Sequence, residues 1–172
     1  SQGATIAEVL YLLGVEPLRD PFGRIQSLRL IPEKDLGRPR IDVVVQSAGQ
    51  LRDLAASRLS LIEEAVVLAA GARGEGANFV RQGVQDAEQY LLKQGLAPLS
   101  AKNLASRRSF GGVNNSYGTG IMGLVEGGDQ WENQGNIASR YLKNMGAVYG
   151  DAESWGQFNQ SLLEAALLNT EV

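Results

Sequence analysis

The sequence predicts a mixed α/β fold: a small β-sheet in the N-terminal part and a predominantly α-helical remainder. Three observations carry this. Short apolar runs at Val15–Arg19, Ile25–Ile31 and Ile41–Val45 sit between turn residues, and the last is the β-branched run of a buried strand. From Ser47 onward the apolar period becomes helical. The alternation of strand and helix then stops, which excludes a complete doubly wound sheet.

The elements follow in order. Ile6, Val9, Leu10 and Leu13 recur at helical spacing, and Gly14 is a stop signal. Asp20-Pro21-Phe22-Gly23 is turn chemistry between the first two strands. Glu33–Pro39 connects to the third. Residues 1–46 therefore read as a helix plus short strands, and residues 47–172 as a mainly helical section. In that section, Leu51, Leu54, Ala55, Ile62, Ala65, Val66 and Ala69 line one face of a long helix that Gly71–Gly76 breaks. The next stripe is Phe79, Val80, Val84, Ala87, Tyr90 and Leu91, ended by Gly95 and Pro98. Asn103–Arg108 reads as a short helix and Ile121–Val125 as a helical turn or two. Asp129 or Asn133 can cap a helix carrying Ala138, Tyr141, Leu142 and Met145. Asp151 can cap a last helix with Trp155, Phe158, Leu162, Ala165 and Ala166 on one face.

Composition narrows the chemistry. The 172 residues are enough for one domain with its own core, and the net charge of −3 excludes the strongly basic face of a nucleic-acid binder. No apolar run reaches membrane-spanning length. Cys and His are both absent, so disulfides, thiolate metal sites and Ser–His or Cys–His nucleophiles are excluded. Any acid–base or metal chemistry must use Asp, Glu, Tyr, Lys or backbone oxygens, which suit hard divalent cations better than zinc. The chain opens on Ser1 and ends on Val172 just after a helical pattern, so it reads as one domain excised from something longer.

The densest signal is the glycine-rich segment 109–128. It gathers Gly111, Gly112, Gly118, Gly120, Gly123, Gly127 and Gly128 around Asn114, Asn115 and Tyr117. So many glycines mark sharp bends or close approach of the backbone. Gly118–Gly123 matches the dinucleotide fingerprint formally, but the residues before it are no buried strand. Nor does an acidic residue after a second strand follow roughly 20 positions on. The same amides can instead meet a carboxylate, or the glycines can merely pack helix on helix. Arg52-Asp53 is the best charged pair: Arg52 can hold a ligand carboxylate or orient Asp53, or the two can be a helix-start Asp beside an exposed Arg. Glu126 can serve as a carboxylate base or metal ligand, or be a solvated helix end. Arg107-Arg108 can attract an acidic group. Trp131, Tyr141, Tyr149, Trp155 and Phe158 can line a flat pocket or belong to the core.

Gly37-Arg38-Pro39-Arg40-Ile41-Asp42-Val43 resembles the family of CobN, the cobaltochelatase large subunit, and of the porphyrin-binding large subunit of magnesium chelatase. The resemblance continues through Gly49, Arg52 and Asp53, Phe110-Gly111, Tyr117-Gly118-Thr119-Gly120, Trp131, Tyr141-Leu142, Gly146 and Tyr149-Gly150. Upstream, Gly14–Leu18 also matches. The resemblance implies a fragment of a much larger cytoplasmic subunit that binds a tetrapyrrole and takes part in metal insertion in cobalamin or related biosynthesis. Cobalt or magnesium would be a substrate, and separate AAA+ and metal-binding subunits would supply ATP hydrolysis and metal. Residue chemistry together with the matched positions makes Asp53 and Glu126 the candidate catalytic carboxylates, and Arg52, Asn114, Tyr117, Gly118 and Gly120 the candidate tetrapyrrole contacts. Gln50-Leu51 replaces the family's aromatic pair, and Val113–Ser116 also departs from the common pattern. Both look like CobN-like proteins of the Bacteroidetes type, some of which are proposed to remove metal from porphyrin during haem uptake. A non-catalytic scaffold or docking domain is the alternative from another class.

Overall fold

A computed structural model describes residues 2–47, 49, 56–113, 119, 121 and 134–170. The first helix, α1 (Gln2–Leu13), buries Ile6, Val9, Leu10 and Leu13 and ends at Gly14, whose φ of 71° is left-handed. The carbonyls of its last turn are unusually well served. Arg38 donates to the oxygens of Tyr11 and Leu12, and Arg40 donates to those of Leu13 and Gly14 at 3.0 and 2.6 Å. A helix leaves these carbonyls without intrahelical partners and its C-terminus attracts cations, so two guanidiniums satisfy both needs.

Strands β1 (Val15–Arg19) and β2 (Ile25–Leu30) form an antiparallel hairpin in which Val15 pairs with Leu30. Asp20 closes its turn by accepting from the amides of Phe22 and Arg24, both at 2.9 Å. A one-turn helix, α2 (Glu33–Leu36), follows. The third strand starts later than the β-branched run predicts: β3 is Val45–Ser47, not Ile41–Val45. Residues 40 and 41 spend their backbone groups elsewhere. The Ile41 amide donates to Leu12, and the Arg40 carbonyl accepts from Phe79.

The helical section begins with α3 (Ala56–Gly71) and α4 (Phe79–Lys93), packed on each other. Asn78 caps α4, its side chain accepting from the Arg81 amide at 3.0 Å and donating to Ala69 at 2.8 Å. Asn78→Ala is expected to cost about 1–2 kcal/mol of stability, read from urea unfolding. Phe79, predicted to join the buried stripe, is instead exposed, because it sits at the helix start beyond the packed face. The next helix, α5, is Pro98–Leu104 rather than Asn103–Arg108: proline fits the first helical position, where no amide is needed.

Ser109–Gly111 is a fully buried strand, β4. After it come α6 (Gln134–Met145), β5 (Ala147–Val148) and α7 (Gln160–Leu167). The last helix starts after Asn159, not Asp151, so Trp155 and Phe158 precede it. The sheet order is β3-β4-β5, with β3 parallel and β5 antiparallel to the central β4. The fold is thus mixed α/β, as the sequence predicts, but the second sheet draws its strands from residues far apart in the chain. This sheet lies between two apolar clusters. One joins α1, α3 and the hairpin; the other joins α4, α5, α6 and α7 around Phe110. Among the described residues no helix is long and apolar enough to cross a membrane.

Candidate functional site

Arg52, Asp53, Asn114, Tyr117, Gly118, Gly120 and Glu126 all lie outside the described residues, as do Trp131 and the two caps predicted for α6. The described residues that flank them in sequence form a frame. Strands β3 and β4 are parallel and end level: Ser47 registers with Gly111, and the buried Ser47 hydroxyl donates to the Phe110 carbonyl at 3.0 Å. A Cβ on Gly111 would stand 2.9 Å from Ser47 Oγ and 3.0 Å from the Tyr149 ring, so only glycine lets these strand ends close up. The chain leaves Ser47 toward Arg52 and Asp53, and leaves Gly111 toward Asn114 and Tyr117. The C-terminal ends of adjacent parallel strands are where open α/β sheets bind ligands.

The far side of the frame is α6. Its Asn144 holds both flanks of residues 114–118: the Val113 amide donates to the Asn144 carbonyl at 3.0 Å, and Asn144 Nδ2 donates to the Thr119 carbonyl at 2.9 Å. Tyr149 donates its hydroxyl to the Gly112 carbonyl at 2.8 Å, and Tyr141 donates to Gln46 Oε1 at 2.9 Å, joining α6 to β3. Burial pushes the Tyr141 phenol above its ordinary pKa, so it stays a neutral donor. Beside Ile121 an apolar hollow of about 650 Å³ opens between α6 and α7, lined by Ile137, Ala138, Tyr141, Leu142 and Leu167 with Glu164 at its margin. Such a wall suits a flat apolar ligand. Strand β4 stops at Gly111, with residues 112–117 between it and Gly118, so it does not run directly into the formal dinucleotide motif.

Beneath the frame is a set of buried charges. Glu63, on the packed face of α3, accepts from the amides of Arg108 at 3.1 Å and Ser109 at 2.8 Å. Burial pushes its carboxyl above the ordinary value, and the amide bonds pull the other way without cancelling it. Arg108 is 1% exposed and grips Asp42 through Nε at 3.0 Å and Nη2 at 2.9 Å. Its neighbour Arg107 pairs with Asp151 at 2.9 Å. The Ser154 hydroxyl bond, aided by Arg107, holds the Asp151 carboxyl below its ordinary value. A glutamate on the same helical face as Leu59, Ile62 and Val66 is the available signal for Glu63. Nothing in the spacing marks Arg108, whose partner lies 66 residues away. Tyr149 is buried and meets Trp155 edge-on at 5.1 Å, whereas Phe158 is exposed. Among the described residues no three carboxylates gather to hold a metal ion.

This fold is also found in a solved chelatase subunit. The catalytic subunit of cobaltochelatase from Mycobacterium tuberculosis superimposes with a TM-score of 0.80 at 31% identity, over 93% of this chain and 13% of that one. The family model CobN/Magnesium Chelatase matches residues 1–172, and the chain belongs to that family. The H component of magnesium chelatase from Cereibacter sphaeroides is 33% identical over 174 residues, covering 100% of this chain and 14% of its relative. Aerobic cobaltochelatase subunit CobN of Pseudomonas aeruginosa is 35% identical over 153 residues, 88% of this chain and 12% of that subunit. The chain therefore spans about one-eighth of the length of the curated relatives it matches.

Proposed function

We propose that this chain supplies part of the tetrapyrrole site of a chelatase large subunit and takes part in ATP-dependent insertion of cobalt or magnesium. The observation that carries this reading is the level ending of β3 and β4, from which the segments with Arg52, Asp53, Asn114 and Tyr117 both depart. Inserting a divalent metal into a free-base tetrapyrrole releases two pyrrole protons, so nearby carboxylates are needed to accept them. Asp53 and Glu126 take that role, and Arg52 meets a side-chain carboxylate of the macrocycle. Asn114, Tyr117, Gly118 and Gly120 shape the wall against the ring. AAA+ and metal-binding subunits in the cytoplasm deliver ATP hydrolysis and metal.

The test is a porphyrin titration of the intact protein, followed by the Soret band, with a metal-insertion assay alongside. Arg52→Ala is expected to weaken binding about tenfold. Glu126→Gln is expected to preserve binding and slow insertion about a hundredfold. If both variants bind and insert like the wild type, the role assignments fail. A scaffold reading has one observation in its favour: Arg38, Arg40 and Asp42, in the run that carries the family resemblance, are spent on internal bonds. It predicts unchanged porphyrin binding in both variants.

A further inference from the structure

We propose that the cleft between α2 and the α3–α4 link binds a small multivalent oxyanion, at a site separate from the tetrapyrrole frame. The cleft, about 270 Å³, is lined by Arg38, Arg40, Arg73 and Arg81, with Glu33 as the only carboxylate on its wall among the described residues. Four cations against one anion is a sharp local excess in a chain whose net charge is −3. Converging guanidiniums demand an anion.

The donors are not equivalent. Arg38 is committed to the carbonyls of Tyr11, Leu12 and Pro39, Arg40 to those of Leu13, Gly14 and Ile31, and Arg81 to those of Ala70 and Ala72. These three set the charge and the shape of the wall. Arg73 is exposed and has no hydrogen-bond or ion-pair partner among the described residues, so its whole guanidinium is available. The amides of Gly74 and Gly76 donate to no carbonyl among the described residues. Closely spaced free amides in a bent link are a common seat for anions.

Glu33 already marks where such an anion sits. A Cβ on either Gly74 or Gly76 would run into its carboxylate, so the two glycines leave room for a carboxylate lying against the link. The Glu33 carboxylate forms no hydrogen bond or close ion pair among the described residues, although the Glu33 carbonyl accepts from the Gly37 amide at 3.3 Å. Its charge is nevertheless felt by Arg40, whose pKa burial lowers and Glu33 raises. Glu33 is thus an internal occupant held loosely on an exposed one-turn helix, which an external oxyanion with more negative charge displaces. Glu63, which holds β4 beneath the tetrapyrrole frame, sits about 12 Å from the Gly71 end of α3 at 1.5 Å per residue.

Calorimetric titration of the intact protein with pyrophosphate, and separately with citrate, tests this at low ionic strength. Saturable binding of at least one anion is expected, weakening as salt is added. Binding of pyrophosphate alone identifies a phosphate source, and of citrate alone a carboxylate source. Arg73→Ala is expected to weaken binding about tenfold, and Glu33→Gln, by removing the competitor, to tighten it about tenfold. Both side chains are exposed and make no hydrogen bonds among the described residues, so thermal melts of the variants should match the wild type. Absence of binding in the wild type and in Glu33→Gln, or equal binding by Arg73→Ala, overturns the proposal. Porphyrin binding should be untouched by Arg73→Ala, so failure here and failure of the tetrapyrrole reading are separable.

Discussion

Arg108→Ala is expected to destabilise the protein by about 3–5 kcal/mol, as the midpoint shift in urea unfolding will show. The size of the effect follows from what the truncation leaves behind. Arg108 is 1% exposed, and Asp42 keeps 21% of its side-chain surface. Removing the guanidinium strands a half-buried carboxylate and frees the carbonyls of Ala105 and Arg107, which Nη1 holds at 2.8 and 2.9 Å. The double variant Arg108→Ala, Asp42→Ala should recover part of the loss, because it removes the unpaired charge as well. A control makes the reasoning sharp. Arg29 and Glu16 pair across the hairpin at 2.6 Å, closer than Arg108 and Asp42, yet both are well exposed. Breaking that pair should cost under about 1 kcal/mol, because water and salt replace it. Burial, not distance, decides which ion pair matters.

Glu63→Ala is expected to cost about 2–5 kcal/mol, since it leaves the buried amides of Arg108 and Ser109 without an acceptor. Glu63→Gln keeps one carbonyl oxygen there and should cost only about 1 kcal/mol. The two variants also differ from the wild type in pH dependence, with a definite sign. The folded protein holds the Glu63 carboxyl above its ordinary value of 4.5, so between the two values the folded state binds more protons than the unfolded one. Its contribution is therefore fully present below the ordinary value and is lost as pH rises through the raised one. Asp20 and Asp151 are lowered from 3.8, so their contributions have the opposite sign and fade as pH falls through the lowered values. Subtracting the Glu63→Gln curve from that of the wild type isolates Glu63. A difference that rises with pH across this window would contradict the assignment.

Legibility in the sequence tracks the length and regularity of each element. Helix α1 can be read from Ile6, Val9, Leu10 and Leu13 with Gly14 as its stop, since four apolar positions at helical spacing have few competing explanations. Strand β4 cannot. Ser109-Phe110-Gly111 is too short to carry a period, and its burial comes from β3 and β5, which are remote in the chain. The start of β3 is misplaced for a related reason. Ile41–Val45 has the composition of a strand, but Arg38 and Arg40 draw that stretch against the end of α1 instead. The run that carries the family resemblance thus proves to be a helix-capping and charge-pairing device. The candidate residues can be named from the sequence, but all of them lie outside the described residues. The register of β3 on β4 beside them is not legible, because it depends on contacts no local pattern encodes.

That register bears on how the β3–β4 edge forms. The Ser47 hydroxyl and the Phe110 carbonyl it meets are 63 residues apart, and β3 and β4 are parallel, so no tight turn can bring them together. Every intervening helix must find its place before the strands can meet. Closing so long a loop is entropically costly until α3 and α4 have docked and offset it. The β3–β4 edge is therefore expected to be among the last parts to form on folding. A weakened contact on the α3–α4 face would then be felt at that edge as slow or incomplete maturation.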